Sequence, residues 1–365
     1  MGYHRQDRFL RRLMRPLGWI LPLVALVLAA QESSPFAPEA VNPWVPAWEL
    51  TLRGDRLSAP DAPEEAFRRV DAQLRLRWAW ESGPLRLEAG ARSAVGSDGN
   101  RFNAARWDQQ PSNGTQADVA RGIASWVSEQ AFGSLSLGLQ GSGLLAPQAL
   151  WDPELRFLGV GGRFGLRGAG GTLEEAGLRV AAGRVRDLLG GRVDLAAGQL
   201  VLRIDTGPWS WTAHAGRWDL AWDPGDERLR RLPGHDPAAR QRLVVDAAGA
   251  SGTWHAILPV EAGWSGIRNR ETGETSEEAQ VALGSRERVY WPQLTLTWQR
   301  LSSTGTLYPV NGDEWWYYRR VRGPRADLSL PLPHRWIASL VVLRQRTDGT
   351  DESVTRTMLV VQKRF

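Results

Sequence analysis

Apolar and polar side chains alternate one by one along short stretches of this chain, most clearly over Val70–Arg92. Ala72, Leu74, Leu76, Trp78 and Trp80 alternate with Asp71, Gln73, Arg75 and Arg77. After Ser82, Gly83 and Pro84, Leu85, Leu87, Ala89 and Ala91 are set against Arg86, Glu88 and Arg92. Successive side chains of a strand point to opposite faces, so each arm has one apolar and one charged face, and the pair reads as a β-hairpin. Each arm is about ten residues, the length a tilted strand needs to cross a bilayer. One such hairpin would also suit a soluble sandwich, so the rest of the chain decides.

The same pattern recurs over Ala47–Arg56, Ala117–Ser128, Gly133–Ser142, Arg156–Arg167, Ala176–Arg186, Val193–Ile204 and Trp209–Leu220. It continues over Arg242–Ala248, Trp254–Trp264, Glu278–Leu283, Tyr290–Arg300, Ala326–Leu332, Trp336–Arg344 and Ser353–Phe365. With the hairpin this predicts about sixteen strands, an even number in the range of outer-membrane barrels. No helical periodicity is sustained, and no run of about eighteen apolar residues occurs after the N-terminal region.

The connections separate the two readings. Turns at Glu81–Pro84, Glu129–Phe132, Gly168–Gly171, Asp205–Pro208, Gly249–Thr253, Gly284–Arg288 and Pro333–Arg335 are short. Those that alternate with them, such as Ala94–Gln116, Ala221–Gln241 and Leu301–Arg325, are mostly long and polar. A meander that crosses a membrane sorts its loops in this way, and a sandwich has no reason to. The predicted fold is therefore all-β, a transmembrane antiparallel up-and-down β-barrel.

In lipid only a closed barrel or a helix satisfies the backbone. An arginine at mid-bilayer costs roughly 2–4 kcal/mol, so the apolar face must be outside and the charged face inside. The expected pore-lining set is Arg69, Arg75, Arg77, Arg86, Glu88, Arg92, Arg163, Arg167, Arg179 and Arg203, with Asp71 and Glu261 as further inward acids. Rings of charge set ion preference in pores, so this set points to a mild preference for anions. Trp48, Trp80, Trp209, Trp254, Trp264 and Trp336 lie near segment ends, where interfacial girdles place amphipathic rings.

The two ends of the chain carry different information. Arg5, Arg8, Arg11, Arg12 and Arg15 precede the apolar Leu17–Ala30, which ends in small residues. This has the form of a signal peptide over 1–30, cleaved near Ala29 or Ala30 and followed by a Pro-rich periplasmic lead-in over 31–46 and the barrel over 47–365. At the other end Leu359 and Val361 alternate toward a terminal Phe365, which resembles the signal read by the barrel-assembly machinery. Lys363 stands where an apolar residue is more usual.

Composition adds mainly exclusions. The net charge is +5, but the basic leader carries +4 of it, which leaves no case for nucleic-acid binding. Without cysteine there is no disulfide framework, thiolate metal site or c-type haem attachment. His4, His214, His235, His255 and His334 have no metal-ligand spacing, and no catalytic motif of a known type occurs. No cofactor, metal or enzyme activity is expected. Asp98 and Asn100, or Asp223, Asp226 and Glu227, are acidic loop groups of the kind that bind Ca²⁺ beside lipopolysaccharide, although such loops are usually just solvated.

Three stretches, Ser97–Gln116, Ala149–Gly165 and Asn311–Gly323, together with the opening Trp48–Asp55, resemble a family of bacterial outer-membrane β-barrel porins. The element Leu150-Trp151-Asp152-Pro153-Glu154-Leu155 is the most specific part. The resemblance implies a water-filled channel for passive diffusion of small hydrophilic solutes, set in the outer membrane of a Gram-negative bacterium among lipid and lipopolysaccharide. In porins the third external loop often folds into the lumen, which would make Asp152 and Glu154 constriction residues. The oligomeric state is left open, a homotrimer being common among sixteen-stranded porins. Two rival functions are a structural sheath around a periplasmic multihaem cytochrome and a barrel enzyme.

Overall fold

Every strand of a sheet leaves a row of backbone donors and acceptors on each side, and an edge exposed to lipid would leave them unsatisfied. Among the described residues no such edge remains. In the computed structural model, sixteen antiparallel strands follow one another in order and the last pairs with the first. They are β1 (Val45–Ser58), β2 (Phe67–Ser82), β3 (Leu85–Gly96), β4 (Asn113–Val127), β5 (Ala131–Gly141), β6 (Arg156–Leu166), β7 (Leu173–Leu188) and β8 (Gly191–Asp205). The second half comprises β9 (Trp209–Asp223), β10 (Arg242–Trp254), β11 (Val260–Asn269), β12 (Thr275–Gly284), β13 (Gln293–Leu301), β14 (Val321–Leu332), β15 (Trp336–Thr347) and β16 (Ser353–Arg364). The structure describes residues 45–60, 66–96, 113–141, 155–168, 172–188, 191–223, 242–302, 321–347 and 352–364.

Closure runs from Glu49 opposite Arg364 to Ser58 opposite Thr355. Leu359 and Val361 lie in this seam, opposite Gly54 and Leu52, while Phe365 lies outside the described residues. Lys363 places its ammonium 5.0 Å from the centre of the Trp336 ring, a cation–π contact.

One end of the barrel carries the connections 83–84, 128–130, 167–172, 206–208, 255–259, 285–292 and 333–335, and the other carries most of the long ones. The sorting is not strict. Only residues 189–190 separate β7 from β8 at the long-loop end.

Two predicted boundaries need correction. Gly249–Thr253 is strand, not turn, and the reversal between β10 and β11 falls at 255–259, inside the predicted strand Trp254–Trp264. The glycines in question serve the packing of rings. A Cβ on Gly249 would sit 2.7 Å from the His214 ring, and one on Gly252 would sit 2.6 Å from the Trp211 ring. Apolar residues Ala256, Ile257 and Leu258 meanwhile fill the true turn, so hydropathy alternates straight through it. Tyr290, expected to open a strand, adopts φ 65° in the turn before β13.

The faces follow from burial. In a single-layer sheet, a side chain shielded almost wholly from solvent points into the barrel, as do Asp118, Glu175, Gln199 and Gln299. The opposite set is exposed and apolar, including Trp48, Leu87, Leu137, Leu200, Leu296, Leu340 and Leu359. Trp209 stacks on Trp211 at 5.8 Å and on Trp254 at 5.9 Å, forming part of an outer aromatic girdle at the short-turn end.

Toward the long-loop end the sense of the alternation reverses. Phe157, Val185, Val193, Trp218, Leu220 and Val245 turn inward there as part of a buried apolar cluster. The outward positions beside them are charged, with Arg184 opposite Asp194 and Arg217 opposite Asp246. The strands thus carry an oily exterior over one part of their length and an oily interior over another.

Candidate functional site

The site is the inward face of the barrel. Strand alternation in β2 and β3 brings Arg75, Arg77, Arg86, Glu88 and Arg92 onto it together, and register places Arg75 opposite Arg92. Like charges so placed repel, and the sheet answers with carboxylates from neighbouring strands. Arg75 lies 3.6 Å from Glu49, and Arg53 lies 3.1 Å from Asp71.

The central acid of this wall was missed in the sequence. Gly90 pairs with Val119 and Ala91 with Ala117, so Asp118 is an extra residue in β4, a bulge that re-aims its side chain. Both Nε and an Nη of Arg77 donate to its carboxylate, at 2.8 and 2.7 Å. Arg156 reaches past β5 to the other carboxylate oxygen at 2.8 Å and donates through Nε to the Asp118 carbonyl at 2.9 Å. Asp118 is fully buried and Arg156 nearly so, whereas half of the Arg77 side chain (49%) is exposed. Arg77 is therefore the water-facing edge of a cluster whose base is sealed.

Closer to the short-turn end, Glu88 accepts from Arg121 and Arg86, each at 2.7 Å, and Arg86 also pairs with Glu81. On the next part of the wall Glu175 is clasped by two predicted lining residues. Arg163 donates to it at 3.1 and 2.6 Å, and Arg179 donates at 2.9 Å. Arg163 and Arg167 both lie over the Phe132 ring, at 4.8 and 4.9 Å. Arg203 is 3.9 Å from Glu174. The opposite wall is milder, with Glu261 and His214 facing inward and Gln299 donating to Glu278 at 2.8 Å. Near the seam Arg356 binds Asp55 at 3.0 and 2.6 Å, and Arg325 binds Asp327 at 2.8 and 2.7 Å.

Among the predicted lining residues, Arg75, Arg77, Arg86, Glu88, Arg163, Arg179 and Arg203 stand in ion pairs rather than as bare charges. Arg69 lies on β2, opposite Asp55, and its side chain is outside the described set, as are Asp152 and Glu154 entirely. The loop acids Asp98, Asp226 and Glu227 and the residue Asn100 also lie outside it, as does the side chain of Asp223. His255 Nε2 is 3.0 Å from Ser210 Oγ, and no group of three or more His, Asp or Glu suited to a metal occurs among the described residues.

No protein-family model matches the chain, and no curated protein matches it in sequence. Solved structures do match. OprB of Pseudomonas putida, at high pH, is similar over 88% of this chain and 94% of its own, with 8% identity and a TM-score of 0.59. Salmonella typhi OmpF in complex with daunomycin is similar over 88% of this chain and 97% of its own, with 10% identity and a TM-score of 0.51. At such identities the likeness is one of architecture, and it agrees with the closed sixteen-strand sheet. The chain has the fold of bacterial outer-membrane porins.

Proposed function

We propose that this protein is a passive channel of the outer membrane of a Gram-negative bacterium, through which small hydrophilic solutes diffuse with a mild preference for anions. The observation that carries the reading is the closed barrel with an apolar outer band and an ion-paired, partly exposed inner wall. Lipid tolerates the first, and only water or protein tolerates the second. Arg77, Arg86 and Arg203 keep 49%, 45% and 40% of their side chains exposed, so guanidinium groups line the exposed part of the interior. Around Asp118 stand Arg75, Arg77, Arg92 and Arg156, with Glu49 as a further acid, and this local excess of cations supports the anion preference.

Export by the N-terminal signal, insertion by the barrel-assembly machinery and a homotrimeric state belong to the same reading. Purified mature protein in a planar bilayer under a KCl gradient tests it. Stepwise conductance with a reversal potential of anionic sign is the expected result. Sealed bilayers would overturn the channel, and a cationic sign would overturn the preference. Swelling of liposomes in a panel of neutral and anionic sugars ranks the solutes.

A further inference from the structure

Two turns at the short-turn end, 255–259 between β10 and β11 and 285–292 between β12 and β13, expose five large apolar side chains. They are Ile257, Leu258, Val289, Tyr290 and Trp291, of which Ile257 and Tyr290 are the barest at 80% and 66%. The other short turns of this end, 83–84, 128–130, 167–172, 206–208 and 333–335, hold no side chain of this kind. A belt that seats a barrel in lipid encircles it, whereas this surface occupies one sector, from β10 to β13.

The two turns are fastened together. Arg288 donates through an Nη to the Ile257 carbonyl at 3.3 Å, and its guanidinium lies 5.2 Å from the centre of the Trp291 ring. Gly284 N donates to the Pro259 carbonyl at 3.0 Å, and Tyr290 N donates to the Pro331 carbonyl at 2.8 Å, which ties the pair to the end of β14. The surface is therefore preformed, which spares a partner the cost of ordering it. Among the described residues, the non-glycine residues with positive φ are Tyr290, His334 and Arg335, at 65°, 57° and 61°. Glycine would fit these turns more easily, so an aromatic ring and a cation held there against strain point to a use for the side chains.

Charge sets the sign of the partner. Arg286, Arg288 and Arg335 stand on the turns 285–292 and 333–335 against one acid, Glu287, and Arg286 and Arg335 are exposed. Exposed Tyr and Trp beside arginine have the composition of a protein-binding hot spot, and the surplus of cations selects a negative counterpart. We infer that this sector docks an acidic segment of a periplasmic protein. Leucine or aromatic side chains of the segment rest on Ile257, Tyr290 and Trp291, and its carboxylates pair with Arg286 and Arg335. The inference takes its periplasmic side from the barrel reading but does not depend on the lumen conducting.

The test places a photo-crosslinking benzoylphenylalanine at position 257 or 291 of the full-length protein in its own outer membrane, with the lipid-band residue Leu200 as the control position. The expected adduct at 257 and 291 is with one protein segment, mapped by mass spectrometry, that joins Asp or Glu to Leu, Phe, Tyr or Trp. A synthetic copy of that segment should bind the purified mature barrel in detergent, and about tenfold or more weakly in R286E/R335E. Replacing the acids of the segment by amides should weaken binding by a similar factor. Heat-modifiable gel mobility reports whether each variant is folded, and R286E alone, with a loss of about threefold, replaces the double variant if that one is not. Adducts confined to lipid, as at position 200, would make the sector a membrane anchor and overturn the assignment. The absence of an adduct, a mapped segment without acids, or parent-like binding by R286E/R335E would also overturn it. A barrel that docks the segment with this charge dependence yet forms no channel would refute the proposed function and support this site.

Discussion

Arg77 and Asp118 are joined by two hydrogen bonds although 41 residues separate them, because a bulge in β4 turns the carboxylate toward β2. The same carboxylate holds Arg156 through its other oxygen. One acid thus anchors two cations from different strands.

Removing that charge tests its weight. Asp118→Asn leaves buried Arg156 without its carboxylate, and breaking such a pair costs about 3–5 kcal/mol. Urea unfolding of the barrel in lipid vesicles should show this loss. In the folded fraction the lumen gains net positive charge, so the reversal potential in a KCl gradient should move further toward anions.

Glycine at position 138 is required by geometry. Its φ is 133°, and a Cβ there would sit 2.2 Å from the Ala120 carbonyl oxygen. Gly138→Ala should destabilise the barrel by about 1–3 kcal/mol or more, the range of such backbone strain. Gly122→Ala on the neighbouring strand meets only a Leu87 methyl at 3.6 Å and should lie near the parent in the same unfolding assay.

The outer band should resist charge. Leu296 is half exposed near the middle of β13. Leu296→Arg should cost roughly 2–4 kcal/mol in vesicles, the range for a cation at the bilayer midplane. Moving the arginine to a position such as 300, where one already stands, carries no such penalty.

The inward apolar cluster at the long-loop end should behave as a packed core. Trp218 is fully buried within it. Trp218→Ala should cost about 3–5 kcal/mol by loss of contacts and creation of a cavity. Fluorescence-detected unfolding would reveal a lower midpoint, and single-channel recordings would report whether the vacated volume admits more current.

Strand number, order and closure were legible in the sequence because alternation is a local property that each strand displays alone. Boundaries failed where that property misled. Between β10 and β11 the turn 255–259 is apolar and preserves the two-residue phase from Trp254 to Val260, so nothing in the hydropathy marks the reversal.

Within the site, the arginines were legible and their partners were not. Glu175 shares the inward parity of Arg179 but lies one residue before the predicted start of its strand at Ala176. Asp118 sits at a register shift, where the rule that every second residue shares a face no longer holds. A bulge depends on how two strands meet, which neither strand states by itself. The inward apolar cluster did leave a trace. Trp209 and Trp211 occupy odd positions and Trp218, Leu220 and Trp222 even ones, so the phase of β9 changes near Gly216.

That change of phase gives each long strand a built-in depth gauge. Sliding the barrel toward its short-turn end would drag Arg217 and Asp219 into hydrocarbon and push the Trp209–Trp254 stack out into water. Sliding it the other way would pull that stack from the interface into the hydrocarbon. Vertical placement is therefore written into the wall itself, so a cap or loop removed by engineering should leave the protein seated at its original height.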